Sequence, residues 1–227
     1  MSVEAWLALV LVLVAIVIFA ISKPYRRIDW QHKLVNIIDG WVRWYCLHFH
    51  RLQGEKLNLP SQGGAIVVAN HFSGIDGFLL VALSDRPLRF LIAEEEFRRF
   101  GLQWLFRAIG AIPVARESKP ERAYREAVRC LRAGEVIALF PHGKMHLDSD
   151  PPRKLKGGVV RLSTLSQCPV LPLRIEGQRA QGSVVSGFFL RGRVKAKQFD
   201  YIYCSEGDNH LQLQQIADAI ETPLSDD

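Results

Sequence analysis

His71 and Asp76 stand five residues apart in the stretch "NHFSGID" (70–76). A histidine and a carboxylate at this spacing can form a hydrogen-bonded pair. The carboxylate holds one imidazole nitrogen, fixes the tautomer and leaves the other nitrogen as a base. Such a base can take the proton of an alcohol while the alcohol oxygen attacks a thioester, a contribution of about 10²–10⁴ in rate. No Ser or Cys nucleophile is needed if the two substrates react directly. The same letters have a purely structural use. Ser73-x-x-Asp76 reads as an acidic capping box, with Ser73 as N-cap and Asp76 on backbone N–H groups, which leaves His71 as an ordinary loop residue. Spacing alone leaves both open, because an isolated His-x4-Asp arises often by chance.

The elements around the motif must place it at a strand-to-helix corner. "AIVVA" (65–69) reads as a short buried strand, and "GFLLVALS" (77–84) as a helix. Further strands are predicted at "LRFLIA" (88–93), "EVIALF" (135–140) and "VLPLRI" (170–175), with a short one at "AIPVA" (111–115) and an alternating edge strand within 193–204. Helical patterns fill the gaps at 94–110, 119–134, 155–166 and 209–220. The second of these has Pro120 early and Gly134 at its end. Strands alternating with helices predict an α/β fold with a mostly parallel sheet flanked by helices. Sites in such sheets form at the carboxyl ends of strands, and both His71 and His142 follow strand ends.

Taken in order, these segments resemble the glycerolipid acyltransferase family, which includes the 1-acylglycerol-3-phosphate acyltransferases. Asn70-His71-x4-Asp76 is similar to the first block of that family. "GAIPVAR" (110–116), "LFPHGK" (139–144), "LKGGVVRLS" (155–163) and "CPVLPLRIEG" (168–177) resemble the later blocks. The resemblance covers roughly residues 50–180. It implies His71 as base and Asp76 as its orienting partner. It implies a substrate-binding set of Asn70, Arg116, His142, Gly143, Lys144 and Lys156. It also implies transfer of a fatty acyl group from acyl-CoA or acyl-carrier protein to a lysophospholipid hydroxyl, lysophosphatidic acid first, with no cofactor beyond the acyl donor. Each block also has a plainer use. Arg116 offers a planar fork for phosphate oxygens, or a surface ion pair with Glu117. Lys156 adds its charge near a helix start, or is one solvated lysine beside Arg153 and Lys154. Gly143 permits close backbone approach to a ligand, or simply a turn. Pro169 and Pro172 shape strand ends.

His142 departs from the family pattern, which has glutamate there, and Lys144 replaces a small hydroxyl residue. A neutral histidine still accepts a hydrogen bond through one ring nitrogen, but brings no negative charge and becomes cationic as the pH falls. The expectation is a more positive pocket, with acyl transfer retained because His71 and Asp76 are intact. A different acceptor and a catalytically silent lipid-binding protein are the alternatives. His142-x3-His146 followed by Asp148 also spells a metal pattern. The segment is rich in loop formers and Lys144 would repel a cation, so no metal is expected.

The first 52 residues lie outside that scheme. "AWLALVLVLVAIVIFAI" (5–21) approaches the ~20 apolar residues needed to cross ~30 Å of hydrocarbon. It lacks the basic lead of a cleavable signal. Lys23, Arg26 and Arg27 follow it and place the remainder on the cytoplasmic side by the positive-inside rule. The expectation is a single-pass anchor (1–22), an amphipathic helix in the membrane interface (23–52) and an acyltransferase domain (53–227). The second segment sets Leu34, Ile37, Ile38, Trp41, Tyr45 and Phe49 against a polar face of Lys33, Asn36, Asp39, Arg43 and His50. A helix packed on the domain core is its alternative. The 29 Lys and Arg against 23 Asp and Glu favour anionic partners. The expected partners are membrane lipids and the acyl donor. No nucleic-acid motif appears, and oligomeric state is not legible. Four scattered cysteines suit buried free thiols rather than a disulfide or zinc framework.

Overall fold

The computed structural model describes residues 2–115 and 120–224. Helix α1 (Val3–Ser22) is followed by a short turn and by α2 (Lys33–His48). Strand β1 (Ala65–Ala69), α3 (Asp76–Leu83), β2 (Leu88–Ala93), α4 (Glu94–Phe97), α5 (Gln103–Ala108) and β3 (Ile112–Val114) come next. Then follow α6 (Glu121–Arg132), β4 (Val136–Leu139), α7 (Gly158–Ser166), β5 (Val170–Glu176), β6 (Lys195–Gln198) and α8 (Asn209–Glu221).

Among the described residues six strands form one sheet in the order β3-β2-β4-β1-β5-β6. All neighbours are parallel except the β5–β6 pair. The sheet is therefore mostly parallel and flanked by helices, as the alternating pattern predicts. β1 lies between β4 and β5, with Val67 level with Ala138 on one side and Leu171 on the other. Its residues alternate between two cores. Ala65, Val67 and Ala69 pack with Leu79, Leu80, Val42 and Cys46 on the side of α2 and α3. Ile66 and Val68 pack with Ala127, Leu131, Val159 and Ile216 on the side of α6, α7 and α8. Both faces of β1 are buried, which is why it reads as one continuous apolar run.

Two elements differ from the sequence expectation. The single helix expected over 94–110 is split into α4 and α5, because the chain turns at Gly101 with φ +81°, a conformation that favours glycine. Part of the polar face expected on α2 is not in water. Lys33 is exposed and Asn36 half-buried, but Asp39 and Arg43, and His50 just past the helix, are buried, and α2 packs on α3 and on α1. Arg43 makes this possible by neutralising Asp39 through two hydrogen bonds of 2.9 and 3.1 Å and donating a third to the Ala82 carbonyl. A fully hydrogen-bonded ion pair can enter a core where a lone charge cannot. Leu34 remains exposed and Trp41 and Trp44 half-buried on the other side.

α1 has 20 residues, so it is about 30 Å long. It is exposed along nearly its whole length, and by length and composition it is able to cross a membrane. All four cysteines are free and buried.

Candidate active site

β1, β4 and β5 run parallel as neighbours, so the loops after them meet at one edge of the sheet. These loops carry His71, His142 and Gln178. Asn70 ties the first loop down. Its side-chain amide donates to the Ile175 carbonyl and accepts from the Ile175 N–H, both at 2.7 Å. Asn70 is buried and its amide is engaged at both ends, so it fixes the end of β1 to β5 rather than presenting a free group to a ligand.

His71 Nδ1 lies 2.9 Å from Asp76 Oδ2. The same oxygen accepts the backbone N–H groups of Phe72 and Ser73 at 2.7 and 2.9 Å. The capping-box alternative therefore takes a different form. α3 begins at Asp76 itself, and its carboxylate staples the loop before it. Asp76 is fully buried, while the His71 side chain is 21% exposed. An ionised carboxylate only accepts, so the imidazole proton is held on Nδ1 and the lone pair is on Nε2. Among the described residues Nε2 has no hydrogen-bond partner. The ring lies flat on Phe140, with centroids 4.2 Å apart and planes 14° apart, which fixes its plane. His71 also holds the neighbouring loop through its carbonyl, which accepts from the His146 N–H at 2.9 Å.

His142 lies under this edge. Its side chain is only 1% exposed. Nε2 is 3.0 Å from Glu221 Oε1 at the end of α8, and its ring stacks on His146 at 4.4 Å. Burial, with the positive field of His146, Arg153 and His71, pushes His142 down from 6.5 to about 4, so it is neutral at pH 7. Burial likewise pushes Glu221 up. A carboxylate thus stands next to His142 after all, supplied from the far end of the chain. His142, His146 and Asp148 do not converge as the metal pattern would require. The two rings stack, and Asp148 is engaged by Arg174 at 2.5 Å.

Gly143 has φ +73°, and a Cβ there would stand 2.8 Å from Lys156 Nζ. The lysine therefore lies over the turn that also carries Phe140, and its own N–H donates to the Pro141 carbonyl at 3.2 Å. Lys144 and Lys156 are exposed, as are Arg153 and Lys154. Lys156, over the Gly143 turn, and Lys144, within it, add positive charge at the edge that carries His71. Arg116 lies outside the described residues.

Gln178, Phe140, Glu221 and Arg174 complete the site without having been singled out by the sequence. Gln178 Nε2 donates to Asp76 Oδ1 at 2.9 Å, so both carboxylate oxygens are held. Arg174 is buried, with its guanidinium over the Phe72 ring at 4.9 Å and bonded to Glu176, Asp148 and the Ile220 carbonyl. An arginine inside a predicted buried strand was the available signal for Arg174, since a charge there must be paired. Gln178 stands just past a strand end, at the edge where sites form. Phe140 stands in the block 139–144, and Glu221 gave no signal of a role in the site.

The family model described as Acyltransferase matches residues 51–176. A 1-acyl-sn-glycerol-3-phosphate acyltransferase of Bacillus subtilis is 24% identical over 164 residues, covering 72% of this chain and 74% of its own length. An N-acylphosphatidylethanolamine synthase of Arabidopsis thaliana is 30% identical over 118 residues, covering 48% of this chain and 41% of its own. The crystal structure of the 1-acyl-sn-glycerophosphate acyltransferase PlsC from Thermotoga maritima matches in fold with a TM-score of 0.60. It is 19% identical, and the match covers 84% of this chain and 80% of that one.

Proposed function

This chain belongs to the acyltransferase family, and on that premise we propose that it moves a fatty acyl group from a thioester carrier to the hydroxyl of a lysophospholipid, with His71 as the base. The carrier is acyl-CoA or acyl-carrier protein, and the first acceptor is lysophosphatidic acid, which yields phosphatidic acid. The observation that carries this reading is His71 itself, with Nδ1 held by Asp76 and Nε2 left open at the sheet edge.

In the proposed reaction Nε2 takes the acceptor's hydroxyl proton as its oxygen attacks the thioester carbonyl. The C–S bond then breaks, and the departing thiolate takes the proton back from the imidazolium. The products are an ester and a free thiol, and the histidine is restored. Asp76 stabilises the imidazolium in between, and needs no proton of its own. Lys156 and Lys144 draw the acceptor phosphate to the rim, and Arg116 joins them in the same proposal. His142 is buried, so it acts on the site by supporting the 140–146 loop and not by touching the acceptor hydroxyl.

α1 is proposed as a membrane anchor with the catalytic domain on the cytoplasmic face, the side on which Lys23, Arg26 and Arg27 lie. Membrane attachment concentrates and orients two lipid substrates at one surface. The test is purification of the full chain in detergent and incubation with labelled acyl thioesters and a panel of lysolipids. Transfer to lysophosphatidic acid that exceeds transfer to uncharged monoacylglycerol, and a rise in KM for the former in Lys156→Ala, are the expected results. Turnover of the thioester by water alone, with every acceptor ignored, would refute the assignment.

A further inference from the structure

The segment between β5 and β6 runs from Gly177 to Val194 and closes on itself. Gly177 has φ +83°, and a Cβ there would stand 2.0 Å from the Arg193 carbonyl, so the two ends of the loop cross in contact. This crossing, together with the turn after α2, shapes a hollow of about 600 Å³ lined by Arg51, Gly177, Arg179, Arg191, Gly192 and Arg193. Four arginines line one space. Among the described residues none of the four meets a carboxylate. Arg191 donates to the His48 carbonyl at 3.3 Å. Like charges gathered without counter-charges repel one another, and an anion relieves that cost.

His50 makes a second, independent point. It is fully buried with neither ring nitrogen hydrogen-bonded. Its Nδ1 is 3.5 Å from where a Gly192 Cβ would stand, so it lies directly behind the glycine that lines the hollow. A buried polar side chain left without a partner calls for an explanation, and a group bound beside Gly192 would supply one.

We propose that this hollow is a second phosphate site, separate from the acceptor rim at Lys156, and that it takes the headgroup phosphate of an anionic membrane lipid. Two features favour a lipid over a soluble phosphate. The same loop exposes Val185, Phe189 and Leu190, with Phe189 75% exposed, so one segment carries both apolar side chains and Arg179, Arg191 and Arg193. The hollow also lies close to the end of α1. Arg191 bonds to His48, and His48 Nε2 is 2.6 Å from the hydroxyl of Tyr25, in the turn that follows that helix. This choice of ligand rests on α1 as a membrane helix. The loop is seated by Gly74 against Val184 and by Phe188 on Phe78, so a lipid held there would steady the catalytic corner at the bilayer.

The experiment uses the full chain in an uncharged detergent, titrated calorimetrically with dihexanoyl phosphatidylglycerol, dihexanoyl phosphatidylcholine and inorganic phosphate. Phosphatidylglycerol is expected to bind tightest, with affinity falling as salt is raised. Arg179→Ala with Arg193→Ala should weaken it by about tenfold or more, while thermal melts stay unchanged because both side chains are exposed. His71→Ala should bind it like the parent chain, so a failure of the catalytic reading leaves this test intact. Equal binding by the double variant, or equal binding of phosphatidylcholine, would overturn the site. Inorganic phosphate bound as tightly as phosphatidylglycerol, and lost in the double variant, would overturn the lipid assignment in favour of a soluble ligand.

Discussion

Gln178 donates to Asp76 across 102 residues of chain, at 2.9 Å, and this bond ties the end of β5 to the first turn of α3. Asp76 then has no free oxygen. One faces Gln178, and the other receives His71, Phe72 and Ser73. The base is held by a carboxylate that cannot itself turn. Gln178→Ala is therefore expected to lower kcat about tenfold with little change in KM, since the buried oxygen loses its donor at a cost of about 1–3 kcal/mol. Steady-state kinetics on the purified variant check this.

Gly74 has no room for a side chain. A Cβ would stand 2.1 Å from the Val184 carbonyl, and the Gly74 N–H already donates to the Ser183 carbonyl. Gly74→Ala should push the loop 177–194 off the catalytic corner and destabilise the protein by about 1–3 kcal/mol. Limited trypsin digestion would then cut faster at Arg179 and Arg191, with a matching drop in turnover.

The sheet was legible in the sequence because its strands are short apolar runs between turns, and the order of motifs gave the site's frame. His71 and Asp76 were legible because they stand only five residues apart, across one strand-to-helix corner. Gln178 and Glu221 were not, because their partners lie 102 and 79 residues away and nothing local records such a contact. Asp39 and Arg43 misled for a physical reason. Two charges four residues apart on a helix look like a solvated face, yet they neutralise each other and go into the core together. Arg116, in the block 110–116, lies outside the described residues.

The Asp39–Arg43 pair yields its own prediction. Asp39→Ala leaves a buried guanidinium with only the Ala82 carbonyl, and should cost about 3–5 kcal/mol. Replacing both residues with apolar side chains of similar volume should recover most of that loss. Chemical denaturation of the single and double variants separates the two outcomes.

His142 makes stability depend on pH. Its value near 4 in the folded chain lies below its ordinary 6.5, so between those pH values the unfolded chain binds the extra proton. The stabilisation is full above 6.5 and is lost as the pH falls toward 4. Glu221, whose value is raised, works in the opposite direction and trims the effect. A net loss of about 1–3 kcal/mol between pH 7 and pH 4 is expected from this pair. His142→Gln should flatten that part of the curve, as read from urea melts at the two pH values.

His71→Ala, compared with the parent chain for acyl transfer to lysophosphatidic acid, is the most direct measurement. Removing the base should lower kcat/KM by about 10²–10⁴ while the melting temperature holds. Asp76→Asn, which leaves the imidazole in place but removes the charge, should retain more activity than His71→Ala. A His71→Ala protein that is folded and turns over within a factor of about two of the parent would contradict the proposal that this imidazole moves the proton.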